Sequence, residues 1–389
     1  MRQLTPLVVG TTTLLLTACA DAPTPPSAPR DAAPSPALRR EDVRAAFTIR
    51  VTDLGVLPGG TTSEANAVND SGDVVGAGTT ARGATHAVLW RAAGGRPRDI
   101  GTLRGRRDSR ARDINRRGDV VGFSGDFTFD CGGSTGGFAR CPAHAFLWRS
   151  GRGMRDLGTL PGGTRSIATG LNDADVVVGT SDRRQSDGSL IYTAFRWTGR
   201  GGMRALLDRG DVSLPTFASD INRWGQVLGT AQSTEYPNDS WPVRWSRTGA
   251  VEVEPDWGQF GVYFVFGNGI NDRGDIVGSG TETSTYYENP VFWTQERGSE
   301  VLPTADPIYP CGEAFAVNNA RQVVGSDCTS RHAFVWTRAT RTVDLSALPG
   351  FDTSEARDIN NRGQIVGVSC NSNTNACHAT LWTIRRRTP

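Results

Sequence analysis

Seven tryptophans, Trp90, Trp148, Trp197, Trp245, Trp293, Trp336 and Trp382, occupy one repeating position in a chain that holds ten tryptophans in all. Each closes a short apolar run, as in His144-Ala145-Phe146-Leu147-Trp148 and His332-Ala333-Phe334-Val335-Trp336. A scarce, bulky side chain that returns in this way marks one supersecondary unit copied seven times, and such a unit buries its apolar faces only against other copies. A second element, Asn-x-x-Gly-x-Val-Val-Gly, keeps step with it, starting at Asn69, Asn115, Asn172, Asn222, Asn271, Asn318 and Asn360. The starts lie 46, 57, 50, 49, 47 and 42 residues apart. A period near fifty residues with four short apolar runs per copy predicts the blade of a β-propeller. Copies three and six lack the inner glycine of the motif and carry Asp175 and Arg321 in its place.

One copy reads as four strands. Ser166–Leu171 is the first, Asn172–Asp175 turns the chain, and Val176–Gly179 is the second. The third ends at the tryptophan, and a segment such as Met154–Gly158 is the fourth. The first strand keeps a small residue at one place: Ala65, Ala111, Ala168, Ala218, Gly267, Ala314 and Ala356. Crowding of the innermost strands at the axis is the expected reason. The fourth-strand pattern also occurs ahead of the first copy, at Phe47–Leu54, and does not recur after Trp382. The expectation is an all-β, seven-bladed β-propeller of four-stranded antiparallel blades, with residues 47–54 completing the last blade so that no sheet edge stays open.

The remaining organisation follows from the N-terminal segment. Arg2 and the apolar stretch Leu4–Leu16, too short for a membrane span, lead into Leu16-Thr17-Ala18-Cys19. That segment resembles the lipobox of bacterial lipoproteins, which implies removal of residues 1–18 and lipidation of Cys19. Residues 19–46 are rich in proline and form a tether, which in an extended polyproline-like state reaches roughly 80 Å at ~3.1 Å per residue. The propeller is assigned to 47–383 and a short tail to 384–389. The expected location is the bacterial cell envelope, with the membrane as partner through the lipid anchor.

The copies resemble the HAF repeat, a bacterial extracellular repeat named for its His-Ala-Phe tripeptide. Asp156–Gly163, Leu171–Gly179 and His144–Trp148 carry the likeness, which spans residues 47–383. Copies four and five depart from it, with Trp241-Pro242-Val243 and Asn289-Pro290-Val291 in place of the tripeptide. The resemblance implies secretion and a propeller-like fold, and brings no established activity.

Motifs for chemistry are sparse. All 42 basic residues are arginine, balanced by 40 acids, and no basic stripe points to nucleic acid. His86, His144, His332 and His378 each open a third strand, so a ring spreads them apart, and a hydrogen-bonding role is expected instead of a metal. The Asn-Asp-x-Gly-Asp turns at Asn69 and Asn271 are too short for a calcium loop. Glu252, Glu254 and Asp256 alternate along one strand and read as a solvated face, not as a carboxylate pair across a cleft. Asp113, Asp220 and Asp358, on innermost strands, are the candidates for carboxylates converging at the axial mouth, with axial hydrogen bonding as their expected role. No metal or cofactor is expected, and the chain is expected to be a monomer.

Six cysteines remain after Cys19 and permit fifteen pairings. Pairs within single blades, Cys131–Cys141, Cys311–Cys328 and Cys370–Cys377, fit the organisation of the repeat. The variable loops join second to third strands and fourth to first strands, so they share one end of the ring. Tyr236, Trp257, Phe260, Tyr263, Tyr286 and Tyr287 gather there and suit a glycan or protein ligand. The expected function is a surface-tethered, non-catalytic binding module. A secreted hydrolase with its site at the axial mouth is the alternative.

Overall fold

The computed structural model describes residues 47–127, 143–207, 213–232, 240–253, 262–282, 288–305 and 311–386. Its 28 strands fall into seven four-stranded antiparallel sheets. Strand β1 (Phe47–Asp53) belongs to the last sheet. Blade one holds β2 (Ser63–Val68), β3 (Val74–Thr79), β4 (Thr85–Trp90) and β5 (Arg98–Asp99). Blade two holds β6 (Asp108–Ile114), β7 (Val120–Gly125), β8 (Ala143–Arg149) and β9 (Gly153–Asp156). Blade three runs from β10 (Ser166–Leu171) through β11 (Val177–Arg184) and β12 (Leu190–Thr198) to β13 (Gly202–Leu206). Blade four has β14 (Thr216–Ile221), β15 (Val227–Gln232), β16 (Ser240–Trp245) and β17 (Val251–Val253). Blade five has β18 (Val262–Ile270), β19 (Ile276–Glu282), β20 (Glu288–Thr294) and β21 (Gly298–Val301). Blade six has β22 (Gly312–Val317), β23 (Val323–Asp327), β24 (His332–Thr337) and β25 (Arg341–Leu345). Blade seven has β26 (Thr353–Ile359), β27 (Gln364–Asn371) and β28 (Ala376–Arg386), and β1 is its fourth strand.

Closure is direct. Strand β1 pairs with β28 from Phe47↔Arg386 to Asp53↔Thr380. The last strand therefore continues into residues that the sequence reading gave to a tail. Strand β2 also packs on β26, so the first strands of adjacent blades touch all the way around the axis.

A closed belt of asparagines holds these inner strands. The Asn69 side-chain amide donates to the Asn115 carbonyl at 3.0 Å, Asn115 to Asn172 at 3.5 Å, and Asn172 to Asn222 at 3.2 Å. Asn222 donates to Asn271 and Asn271 to Asn318, both at 3.1 Å, Asn318 to Asn360 at 3.0 Å, and Asn360 to Asn69 at 2.9 Å. In every copy the same side chain also accepts two backbone N–H groups of its own turn, such as Ser71 and Asp73 at Asn69. The turn position three residues after the belt asparagine has positive φ throughout. Glycine fills it in five copies, while Asp175 (φ 62°) and Arg321 (φ 59°) fill it in the others. Their side chains have work there: Asp175 pairs with Arg149 at 2.9 Å and with Arg117, and Arg321 pairs with Asp275 at 2.9 Å, each across a blade boundary.

Every first strand carries a β-bulge, for example between Ala65 and Ala67 in β2 and between Ala111 and Asp113 in β6. The final glycine of the Asn motif sits opposite. A Cβ at Gly76 would lie 1.9 Å from the Glu64 carbonyl oxygen, so the bulge requires a residue without a side chain. Small residues of the first strands pack between blades. Ala111 joins Leu89 and Trp148 in one core cluster, and Ala168 joins Leu147 and Trp197 in the next.

The seven tryptophans are buried at these boundaries, none more than 6% exposed. The histidines pair within their sheets: His86 with Asp99 at 2.7 Å, His144 with Asp156 at 2.8 Å, His332 with Asp344 at 3.0 Å, and His378 with Asp53 of β1 at 2.8 Å. Cys311 is bonded to Cys328 and Cys370 to Cys377, with Cα atoms 5.5 and 4.1 Å apart. Cys131 and Cys141 lie outside the described residues, as do the leader, Cys19 and the tether.

Trp148→Ala is expected to destabilise the domain by ~3–5 kcal/mol, read from denaturant unfolding. Deletion of residues 47–54 is expected to speed amide exchange in β28 while leaving β10–β12 protected. Equal exchange in both places would contradict closure through β1.

Candidate axial active site

The bulge determines what faces the axis. At each bulge one residue has no partner on the second strand, and its side chain is re-aimed, as bulges beside functional sites commonly do. Those residues are Asn66, Arg112, Thr169, Ser219, Asn268, Phe315 and Arg357. With the residue before the small position and the one after the bulge, they line an axial cavity of about 860 Å³. Phe123, Gln232 and Ser240 extend the lining, which places the cavity toward the end of the ring that carries the variable loops. A smaller cavity of about 210 Å³ lies at the opposite end, among the Asn turns.

Some lining residues are spent on the scaffold. Asn66 donates to the Ala111 carbonyl at 2.7 Å, Thr169 to Ala218 at 2.9 Å, and Asn268 to Ala314 at 3.0 Å. Asp113, Asp220 and Asp358 also reach the following blade. They accept from Leu171 N–H at 2.6 Å, Ile270 N–H at 2.9 Å and Val68 N–H at 2.7 Å. Each accepts a second N–H from its own strand. The receiving blades have the small residues Gly170, Gly269 and Ala67 at the matching position, and a Cβ at Gly269 would lie 2.7 Å from the Phe315 carbonyl oxygen of blade six. Seven blades make three such couples and leave blade six, with Ala316, outside the scheme.

The other lining residues divide by chemistry. Blades seven, one and two carry a chain of charges: Glu355 accepts from Arg357 at 2.6 Å, Arg357 donates to Glu64 at 2.8 Å and to Asn66 at 2.7 Å, and Glu64 pairs with Arg110. Arg112 stands beside them without an ion pair or hydrogen bond among the described residues; its guanidinium lies 5.5 Å from the Phe123 ring centre. Ile167, Phe217, Phe266 and Phe315 face the same space from blades three to six, and all four stay partly exposed. Glu313, on blade six, has no cation within ion-pair distance among the described residues.

Burial and charge set the protonation states. Burial, then the nearby Asp220 and Asp358 carboxylates, push Asp113 up to about 8. Burial raises Asp358 to about 7 against its two N–H donors. Glu313 is raised to about 7 by burial and by the negative charges of Glu288 and Glu355. At Glu64 burial opposes the charge, but Arg357 and then Arg110 outweigh it and hold the carboxyl at about 2. Burial lowers Arg112 to about 10, so it stays cationic at neutral pH.

Of the loop aromatics named from sequence, Tyr236, Trp257, Phe260, Tyr286 and Tyr287 lie outside the described residues, and Tyr263 pairs with Thr281 within blade five. Glu252 accepts from Gln226 at 2.8 Å on the edge of blade four, away from the cavity, and Glu254 and Asp256 are outside the described residues. Sequence reasoning missed Glu313, Arg112, Arg110, Glu64 and Arg357. Their signal was present: they flank the invariant small residue of the first strand, where copies otherwise alike disagree in chemistry.

No protein-family model matches the chain, and no curated protein matches it in sequence. Its architecture is similar to that of solved structures. Oligogalacturonate lyase from Vibrio parahaemolyticus superposes with a TM-score of 0.55 at 12% identity, over 87% of this chain and 96% of that one. Oligogalacturonate lyase in complex with manganese gives 0.55 at 10%, over 87% and 97%. Virginiamycin B lyase from Staphylococcus aureus gives 0.51 at 12%, over 87% and 99%. At these identities the likeness shows the seven-bladed fold. The neighbours are enzymes, and this counts against the expectation of a non-catalytic binding module. The physical reason is that a propeller assembles a site from one or two residues per blade, so no contiguous motif marks it.

The raised carboxyls carry a stability consequence. The folded state retains protons at Asp113, Asp358 and Glu313 that the unfolded chain releases above about pH 4. Their contribution is complete below about pH 4 and is lost as pH rises to about 8. Glu64 acts oppositely, its contribution being lost as pH falls from about 4.5 to about 2. The melting temperature is thus expected to peak near pH 4–5 and decline toward pH 8. Asp113→Asn should be less stable overall, yet show a shallower decline; a wild-type melting temperature constant from pH 5 to pH 8 would contradict this.

Proposed function

We propose that this chain is an enzyme, a hydrolase or lyase that works by proton transfer in the axial cavity. The observation that supports the reading best is Glu313: a carboxyl without a cationic partner among the described residues, facing a cavity whose other wall is rich in guanidinium groups. A carboxyl that titrates near neutrality is matched to general-base work. Glu313 takes the proton, from a carbon next to an acid group in elimination or from water in hydrolysis. Arg112 faces the negative charge that develops as the proton leaves, and its partly desolvated setting strengthens that interaction. Glu64, Arg110, Arg357 and Glu355 hold the wall in place by satisfying one another.

We also infer that the seven copies are HAF repeats, and that export with lipidation at Cys19 delivers the domain to the cell envelope. Incorporation of labelled fatty acid, lost in Cys19→Ala, tests the anchor.

The activity test takes its first substrates from the neighbours, oligogalacturonate and virginiamycin B, and extends to other small esters, lactones and uronates. Glu313→Gln is expected to lower kcat by roughly 10²-fold or more with the melting curve intact. In the native chain kcat/KM should rise with pH through about 7. Full turnover by Glu313→Gln would remove the assignment.

A further inference from the structure

We propose that the axial cavity takes an amphipathic carboxylate, its anionic group bound by Arg112 and its apolar body laid against Phe217, Phe266 and Phe315. This rests on the reading of the cavity as the active site and names the ligand class it takes.

The first ground is the use of the guanidinium groups. Arg110 is committed to Glu64, and Arg357 to Glu64, Glu355 and Asn66. Arg112 sits at the bulge of blade two, where Asn66, Thr169 and Asn268 in other blades donate to a neighbouring carbonyl. Arg112 makes no such bond among the described residues; it rests over the Phe123 ring, which leaves its planar fork of N–H donors for a ligand. That fork fits a carboxylate in a two-bond arrangement. A neutral ligand would leave the cation without a partner in a partly desolvated place, and a cationic ligand would be repelled.

The second ground is the opposite wall. In a ring of seven, blade two faces blades five and six, which supply Phe266 and Phe315. With Phe217 and Ile167 they form a run of partly exposed apolar side chains at positions where blades seven, one and two carry charge. Water against that wall gains nothing from it, and an apolar body that displaces the water does. The volume of about 860 Å³ suits a small molecule that spans both walls.

Calorimetry on the full chain tests this with three probes: 4-phenylbutyrate, its neutral amide, and butyrate. The expected result is that 4-phenylbutyrate binds roughly tenfold or more tightly than either of the others, since one probe lacks the charge and the other the ring. Arg112→Gln should abolish the preference for acid over amide, Arg112→Lys should retain part of it, and Phe266→Ser should abolish the preference for the phenyl compound. Equal binding of acid and amide, an unchanged preference in Arg112→Gln, or no binding of any probe would overturn the proposal. Glu313→Gln separates the two readings. It should bind 4-phenylbutyrate as the native chain does while losing turnover. Retained turnover with an intact acid preference refutes the base and leaves the ligand class. Lost turnover without an acid preference refutes the ligand class and leaves the base.

Discussion

The structure depends on a ring of seven side-chain amides. Each asparagine of the belt donates to the backbone of the next blade and accepts two N–H groups in its own turn. The seventh donates to the first, so each boundary between first strands is tied by the same bond. Outer contacts repeat this logic with hydroxyl groups: Ser109, Ser166, Thr216, Ser354 and Ser63 each accept from an alanine N–H of the preceding blade. Buried polar groups of this kind cost stability when unmade, so the ring favours completion over partial assembly.

The belt also explains where chemistry can reside. It fixes the end of each first strand, and the bulge begins two residues earlier. That bulge points one side chain per blade at the axis, while the alanine before it packs between blades. Scaffold and site are thus interleaved in a strand of six to nine residues. Alternation in β6 makes this plain: Ala111 is in the core, Arg112 faces the cavity, and Asp113 clamps blade three.

That interleaving decided what could be read in the sequence. Trp148, Asn115 and Gly122 announce the fold because their environments are repeated and their side chains must repeat with them. The spare strand Phe47–Asp53 was legible as a fourth strand without a copy after Trp382. Glu313 and Arg112 were harder to read, because the positions beside the small residue change chemistry from copy to copy and only the ring brings these two to one cavity. The three aspartates were visible as acids on inner strands, and the structure uses them across blade boundaries. Asp175 and Arg321, irregular by the motif, are regular in backbone conformation and exchange glycine's freedom for an ion pair to the adjacent blade.

The pairing of β1 with β28 has a consequence for biogenesis. A polypeptide made from its amino end must keep its opening strand waiting until more than three hundred further residues have followed. Through that interval the strand is an unsatisfied edge. Its alternation of Thr48, Arg50 and Thr52 with Ile49 and Val51 gives it a polar side while it waits, which discourages premature pairing with other chains. The ring closes only once β28 has been made, so a product that stops short of it has no native place for β1.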